Sequence, residues 1–325
     1  MHLRWWLLPL AFGLAACALG DPSRAAGRRV CMVRPLDHPS LGAALEGFRG
    51  RLVAAMPKNA LEFRAYNAGG DLALVPGLLR QTVRDRCSLV FVLTTPAAQQ
   101  ARTLVAARGI PVVYTAVTDP VGAGIVQSMD GDTLPITGVS DLFPVDAQVR
   151  LFLTADPAAR SAAILYNPNE QNSQVLVART EAALRARRIV VFRHTASSAS
   201  AIPEVTQAAA RSADILIING DNLFTEGLQA VLAVAERARK PLFVGDPESV
   251  RRGGIATISP DYALLGQEAA DQAYVILAGE RAAGEIPSEN PTSYSQYVNV
   301  AAAQRMGLQL PLAFFQSARV WVGSD

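Results

Sequence analysis

Short, unbroken apolar runs alternate with amphipathic stretches along almost the whole chain. The first half contains "RVCMVR" (29–34), "LEFRAY" (61–66), "SLVFVL" (88–93) and "PVVYT" (111–115). Between them lie segments with helical spacing at 40–56, about 71–86 and 96–108; in the first, Leu41, Ala44, Leu45, Phe48 and Leu52 share one face. A strand that is apolar at every position has to be covered on both sides, which is the situation of a parallel sheet flanked by helices. The pattern restarts after "ITGVSDLFPVDAQ", read here as a crossover. It continues with "SAAILYN" (161–167), "RIVVFRH" (188–194), "ADILIING" (213–220), "PLFVGD" (241–246) and "GIATIS" (254–259). Helices are expected at about 170–187, 203–211 and 223–239, and a last strong one from Tyr262 to Gly279. The fold class is therefore α/β, with two Rossmann-like lobes carrying parallel sheets rather than one long sheet. The first lobe is expected to hold 29–140 plus about 258–290, and the second 141–257 plus about 291–312, with 313–325 as a tail. The chain then crosses between lobes three times.

The N-terminus reads as an export signal. Arg4 precedes "WWLLPLAFGLAA", an apolar stretch of about 12 residues that is too short for a bilayer. It runs into Leu14-Ala15-Ala16-Cys17, a lipobox in which Cys17 would be acylated after residues 1–16 are removed; ordinary cleavage after Ala16-Cys17-Ala18 is the alternative. Either route places the protein in a periplasmic or extracytoplasmic space, on the first route held to the membrane by a lipid anchor. Export leaves Cys31 and Cys87 in an oxidising compartment. They fall on the first strand and just before the third, neighbours in a 2-1-3 order, so a disulfide is geometrically open to them. Two cysteines with His38 and His194 are a poor set for zinc, and no metal or cofactor site is expected. The 30 basic and 28 acidic residues are intermixed, with no basic stripe for a nucleic acid.

In open parallel sheets, ligands bind beyond the carboxyl ends of the strands. Polar residues collect there in both halves. Strand three is followed by Thr94-Thr95-Pro96, with Thr95 placed to cap a helix and Pro96 suited to its first turn. Strand four ends in Thr115-Ala116-Val117-Thr118-Asp119-Pro120. The crossover holds Ser140-Asp141, and the second half adds Tyr166-Asn167, Gly220-Asp221-Asn222 and Gly245-Asp246. Hydroxyls and helix N-termini suit a carboxylate, and aspartates suit an ammonium, so a cleft with both suits a zwitterion. Each site also has a purely local reading: Thr95 and Asp221-Asn222 as helix caps, Asp119-Pro120 as a turn, Asn167 to Glu170 as a capped turn.

These residues bring the chain close to a known family. The segments "DHPSLGAALEGF", "TTPAAQ", "VVYTAVTDPVGAGIV", "ITGVSD", "LYNPNEQNS", "PLFVGD" and "DYALLGQEAADQAYVILAGE" occur in consistent order. The sequence resembles, from about Val30 to Pro311, the tryptophan/tyrosine-binding group of ABC-transporter substrate-binding proteins. That resemblance implies a type I periplasmic-binding fold, a hinge that closes over an amino-acid-like and in some members aromatic ligand, and delivery to an ABC permease with its ATPase. It also implies that Thr95, Ala116 and Thr118 hold the ligand carboxylate and that Asp246 or Asp141 holds the ammonium. Tyr166 and Asn167 would then line the second lobe, with Asp221 and Asn222 completing the wall. Arg34 departs from a neutral strand end: it implies either a ligand with an extra acid group or an arginine turned to solvent.

No G-x-S-x-G elbow, phosphate-binding loop or strand-linked G-x-G-x-x-G is present, which argues against an enzyme. A sugar binder would need stacking aromatics, yet two of the three tryptophans lie in the leader. A sensing module of the same fold, uncoupled from transport, and a binder of another small organic acid are the remaining alternatives.

Overall fold

The computed structural model describes residues 27–315, 318 and 320–322; the segment carrying Cys17 lies outside them. The first lobe runs β1 (Arg28–Arg34), α1 (Pro39–Ala55), β2 (Leu61–Asn67), α2 (Val75–Arg84), β3 (Leu89–Leu93), α3 (Thr95–Leu104), β4 (Val112–Val117) and β5 (Ile136–Ser140). Its sheet is parallel, in the order β2-β1-β3-β4-β5. Alternation along the strands divides the core into two layers. Val30, Met32, Leu89 and Phe91 face one side, and Cys31, Val33, Val90 and Val92 face the other, all buried. Both faces are apolar because both are covered, which explains the unbroken runs in the sequence. A disulfide joins Cys31 to Cys87 between the neighbouring β1 and β3 region, with Cα atoms 5.9 Å apart.

The second lobe follows with α4 (Val145–Ala155), β6 (Ser161–Tyr166), α5 (Gln171–Arg185), β7 (Val190–Thr195), α6 (Ile202–Ser212) and β8 (Ile215–Ile218). It continues through α7 (Asn222–Glu226), α8 (Leu228–Ala238), β9 (Leu242–Val244), α9 (Pro247–Arg251) and β10 (Ala256–Ser259). Its parallel sheet is ordered β7-β6-β8-β9. The chain then returns to the first lobe as α10 (Tyr262–Ala278), which packs on α1 so closely that glycines are required. A Cβ on Gly266 would sit 2.0 Å from the Ala44 carbonyl oxygen. Finally β11 (Ser295–Asn299), α11 (Val300–Arg305), α12 (Leu312–Phe315) and β12 (Val320–Val322) return to the second lobe. β11 pairs antiparallel with β10 and parallel with β12.

Three expectations are revised. The crossover "ITGVSD" contains a fifth strand, β5, and α4 follows it. A glycine in mid-strand reads as a loop, but Gly138 is needed there, since a Cβ would lie 2.2 Å from the Tyr114 carbonyl oxygen. The helix expected at 223–239 is two helices, broken at Gly227, where a Cβ would meet Ile202 at 2.3 Å. The second lobe does not stop near 312: Phe314 is buried in its core, and β12 pairs with β11. Arg34 pairs with Asp37 and is not among the residues that line the cleft.

Candidate functional site

The lobes meet at a cleft, whose roughly 490 Å³ of unfilled space includes the part open to solvent, formed by the carboxyl ends of β3, β4, β5, β8 and β9 and by the starts of α1, α5 and α10. Eight residues singled out from the sequence line it: Thr94, Thr95, Ala116, Thr118, Asp141, Asp221, Asn222 and Asp246.

The first-lobe wall is strained. α3 begins at Thr95, so the residue in the cap position is Thr94, at φ 75° and ψ 151°, and no side chain caps the helix. Ala116 has φ 54° beside a β-bulge in the β4–β5 pairing. Such conformations cost about 1–3 kcal/mol each and persist where the surroundings enforce them, frequently at ligand sites. The hydroxyls of Thr94 and Thr95 are almost wholly buried and have no hydrogen-bond partner. That excludes the capping role for Thr95: its Oγ1 is available, at the N-terminus of a ten-residue helix.

Carboxylates face this wall. Asp141, directly after β5, accepts from the Tyr262 hydroxyl at 2.8 Å and from Thr118 Oγ1 at 3.3 Å. Thr118 thus holds Asp141 instead of standing free. Burial pushes Asp141 up to about 6, and nearby Asp246 adds to the rise. Asp246 caps α9 through the Ser249 amide at 2.9 Å. It also accepts from Ser40 Oγ of the first lobe at 3.1 Å, with His38 Nε2 3.7 Å away. Asp221 caps α7 through the Phe224 amide at 2.8 Å and receives Ser173 Oγ at 2.7 Å and the Asn167 amide at 2.6 Å. Burial and the charge of Glu170 raise its pKa. The lining includes three aspartates and one histidine, and among the described residues no lysine or arginine.

Three residues from the sequence reading are not in the lining. Asp119 makes the turn of its local reading, accepting from the Gly122 amide at 2.9 Å, and this folds its carboxylate back on its own loop. Tyr166 lies along the second sheet beside Arg193 and packs on that lobe's core. Asn167 supports the wall from behind: its amide donates to Asp221 and its side chain to Glu170 at 3.2 Å. Conversely, His38, Ser40, Asn172, Phe143 and Tyr262 line the cavity and were not singled out as site residues. The missed signal is positional: four of them stand at or just before helix starts instead of at strand ends.

Comparison with known proteins gives a consistent picture. The sequence profile described as ABC transporter substrate binding protein matches residues 29–320. A tyrosine-binding protein of Clostridioides difficile is 28% identical over 286 residues, covering 84% of this chain and 82% of that protein. The crystal structure of a conserved domain protein from Vibrio cholerae superposes with a TM-score of 0.86 at 29% identity, covering 90% of this chain and 99% of the other. An ABC domain from Streptococcus pneumonia, solved in complex with L-Trp, superposes equally well, with a TM-score of 0.86 at 24% identity and coverage of 91% and 99%. The two-lobed architecture is the type I periplasmic-binding fold.

Proposed function

The chain belongs to the ABC transporter substrate-binding protein family, and on that premise we propose that it captures a small amino-acid-like zwitterion between its lobes and delivers it to a membrane permease. One observation carries the reading. Four buried polar side-chain atoms without partners, on His38, Thr94, Thr95 and Asn172, all belong to residues of one cavity that also holds three carboxylates. Buried polar groups are almost always satisfied, so a cluster of unsatisfied ones marks where a ligand supplies the partners.

In this reading the Thr94 and Thr95 hydroxyls and the first-turn amides of α3 hold the α-carboxylate, since the helix N-terminus carries partial positive charge. Asp141, steadied by Thr118 and Tyr262, takes the α-ammonium together with Asp246. The Ser40–Asp246 bond joins α1 of one lobe to the cap of α9 in the other, so it forms on closure. The ligands named for the C. difficile and S. pneumonia proteins, tyrosine and L-Trp, support the amino-acid class. Cys17 would anchor the protein outside the cytoplasm by lipid.

Thermal-shift measurements with the twenty amino acids and with simple sugars test this. A ligand at a hundredfold excess over its Kd should add about 2.7 kcal/mol of stability. No shift with any amino acid, alongside a clear shift with a sugar, would refute the ligand class.

A further inference from the structure

With carboxylate and ammonium placed, His38 Nε2, which lies 3.7 Å from Asp246 Oδ1, and Asn172 Oδ1 are still without a hydrogen-bond partner, and of the two only Asn172 offers a fixed acceptor. Asn172 is the second residue of α5 and is 3% exposed. Its amide nitrogen donates to the Gly220 carbonyl at 2.7 Å and to Glu170 Oε2 at 3.4 Å. Those two acceptors fix the orientation of the amide: turning it over would place its oxygen against a carbonyl and a carboxylate. Oδ1 is therefore an acceptor, and no donor of the protein bonds to it. The backbone N–H and one side-chain N–H of Asn222 go to Glu170, and Ser173 Oγ goes to Asp221. Gln171, next in the chain, reaches across to the Gly122 carbonyl of the first lobe at 3.2 Å, so closure brings this turn of α5 against the opposite lobe.

We propose that Asn172 Oδ1 is the specificity-determining acceptor for an N–H or O–H donor on the ligand's side chain, so that the cavity selects amino acids carrying such a group over isosteres that lack it. This rests on the amino-acid reading above. The physical basis is an asymmetry. An isostere without the donor leaves the Asn172 carbonyl buried and unpaired, a heavier loss than a missing methylene in an apolar pocket.

The test is calorimetric titration of the wild type and of Asn172→Ala with isosteric pairs: tyrosine and phenylalanine, threonine and valine, glutamine and methionine. In the wild type, the donor-bearing member of the tightest-binding pair should bind at least about a hundredfold better. In Asn172→Ala the ratio should fall to within about fivefold, the donor-free member binding as well as before or better. Taking the ratio within each pair cancels any general loosening of the wall, and equal wild-type affinities count against the assignment whether or not the variant folds. Equal wild-type affinity within each pair, or a ratio that survives the substitution, overturns the assignment while leaving the amino-acid reading intact. Failure of every member of every pair to bind the wild type overturns the assignment, and it overturns the amino-acid reading as well only if none of the twenty amino acids shifts the melting temperature.

Discussion

Replacing Asp141 by asparagine should stabilise the ligand-free protein at pH 8 and weaken ligand binding at the same time. Asp141 is 6% exposed, and burial holds its pKa at about 6 despite hydrogen bonds from Tyr262 and Thr118. In the unfolded chain an aspartate titrates near 3.9, roughly two units lower. Between those two values the folded state binds more protons than the unfolded state, so stability falls as pH rises, and the whole deficit is present above about pH 6. At about 1.4 kcal/mol per unit, this is roughly 3 kcal/mol, absent below about pH 4. Asparagine keeps the shape and an oxygen for one hydroxyl donor, and its N–H can donate to the other hydroxyl after rotation. The variant should therefore gain up to about 3 kcal/mol at pH 8, at roughly 2–4 °C per kcal/mol, and almost nothing at pH 4. Affinity for the best amino acid should fall by about 10- to 100-fold, the scale of a lost hydrogen bond to a charged group. Thermal unfolding at the two pH values, with titration calorimetry at pH 8, reads both effects. Equal destabilisation at both pH values would show that the hydrogen bonds of Asp141 outweigh the burial of its charge, and the reasoning would fail.

Wild-type affinity for a zwitterion should decline as pH drops through about 6, because protonated Asp141 no longer attracts an ammonium; calorimetry from pH 5 to 8 checks the direction. Thr95→Val keeps the volume and removes the free hydroxyl, and should weaken carboxylate binding by about 1 kcal/mol or more with little change in melting temperature. Gly266→Ala drives a Cβ to 2.0 Å from the Ala44 oxygen and should destabilise by about 1–3 kcal/mol, whereas Gly42→Ala, with nothing within 4 Å, should be neutral or mildly stabilising in the same denaturant series. Removing the disulfide with Cys31→Ser and Cys87→Ser opens a link between residues 56 apart and should cost about 4 kcal/mol on the chain-entropy estimate, read by urea unfolding.

The pattern of apolar residues was enough to read most strands, their parallel pairing and the two-lobed architecture, because a strand's burial on both faces is written in every consecutive residue. The elements that escaped lack that local mark. β5 carries Gly138, a residue required because the Tyr114 backbone comes close, and that approach is set by a strand more than twenty residues earlier. At the site, Asp119 and Asp141 look alike in sequence, each an aspartate just beyond a strand. A turn that recruits the Gly122 amide removes the first from the cleft, while Tyr262, 121 residues away in the chain, secures the second.

Composition and periodicity thus determined what each segment buries, where helices and strands alternate, and that hydroxyls and aspartates gather at strand ends. Only the tertiary structure decided which of those groups share one cavity, and it added His38, Ser40, Asn172 and Tyr262 from helix starts far apart in the chain. The physical reason is range. Burial of an apolar face is a property of neighbouring residues, but whether a polar atom finds a partner depends on how two separately packed lobes come together.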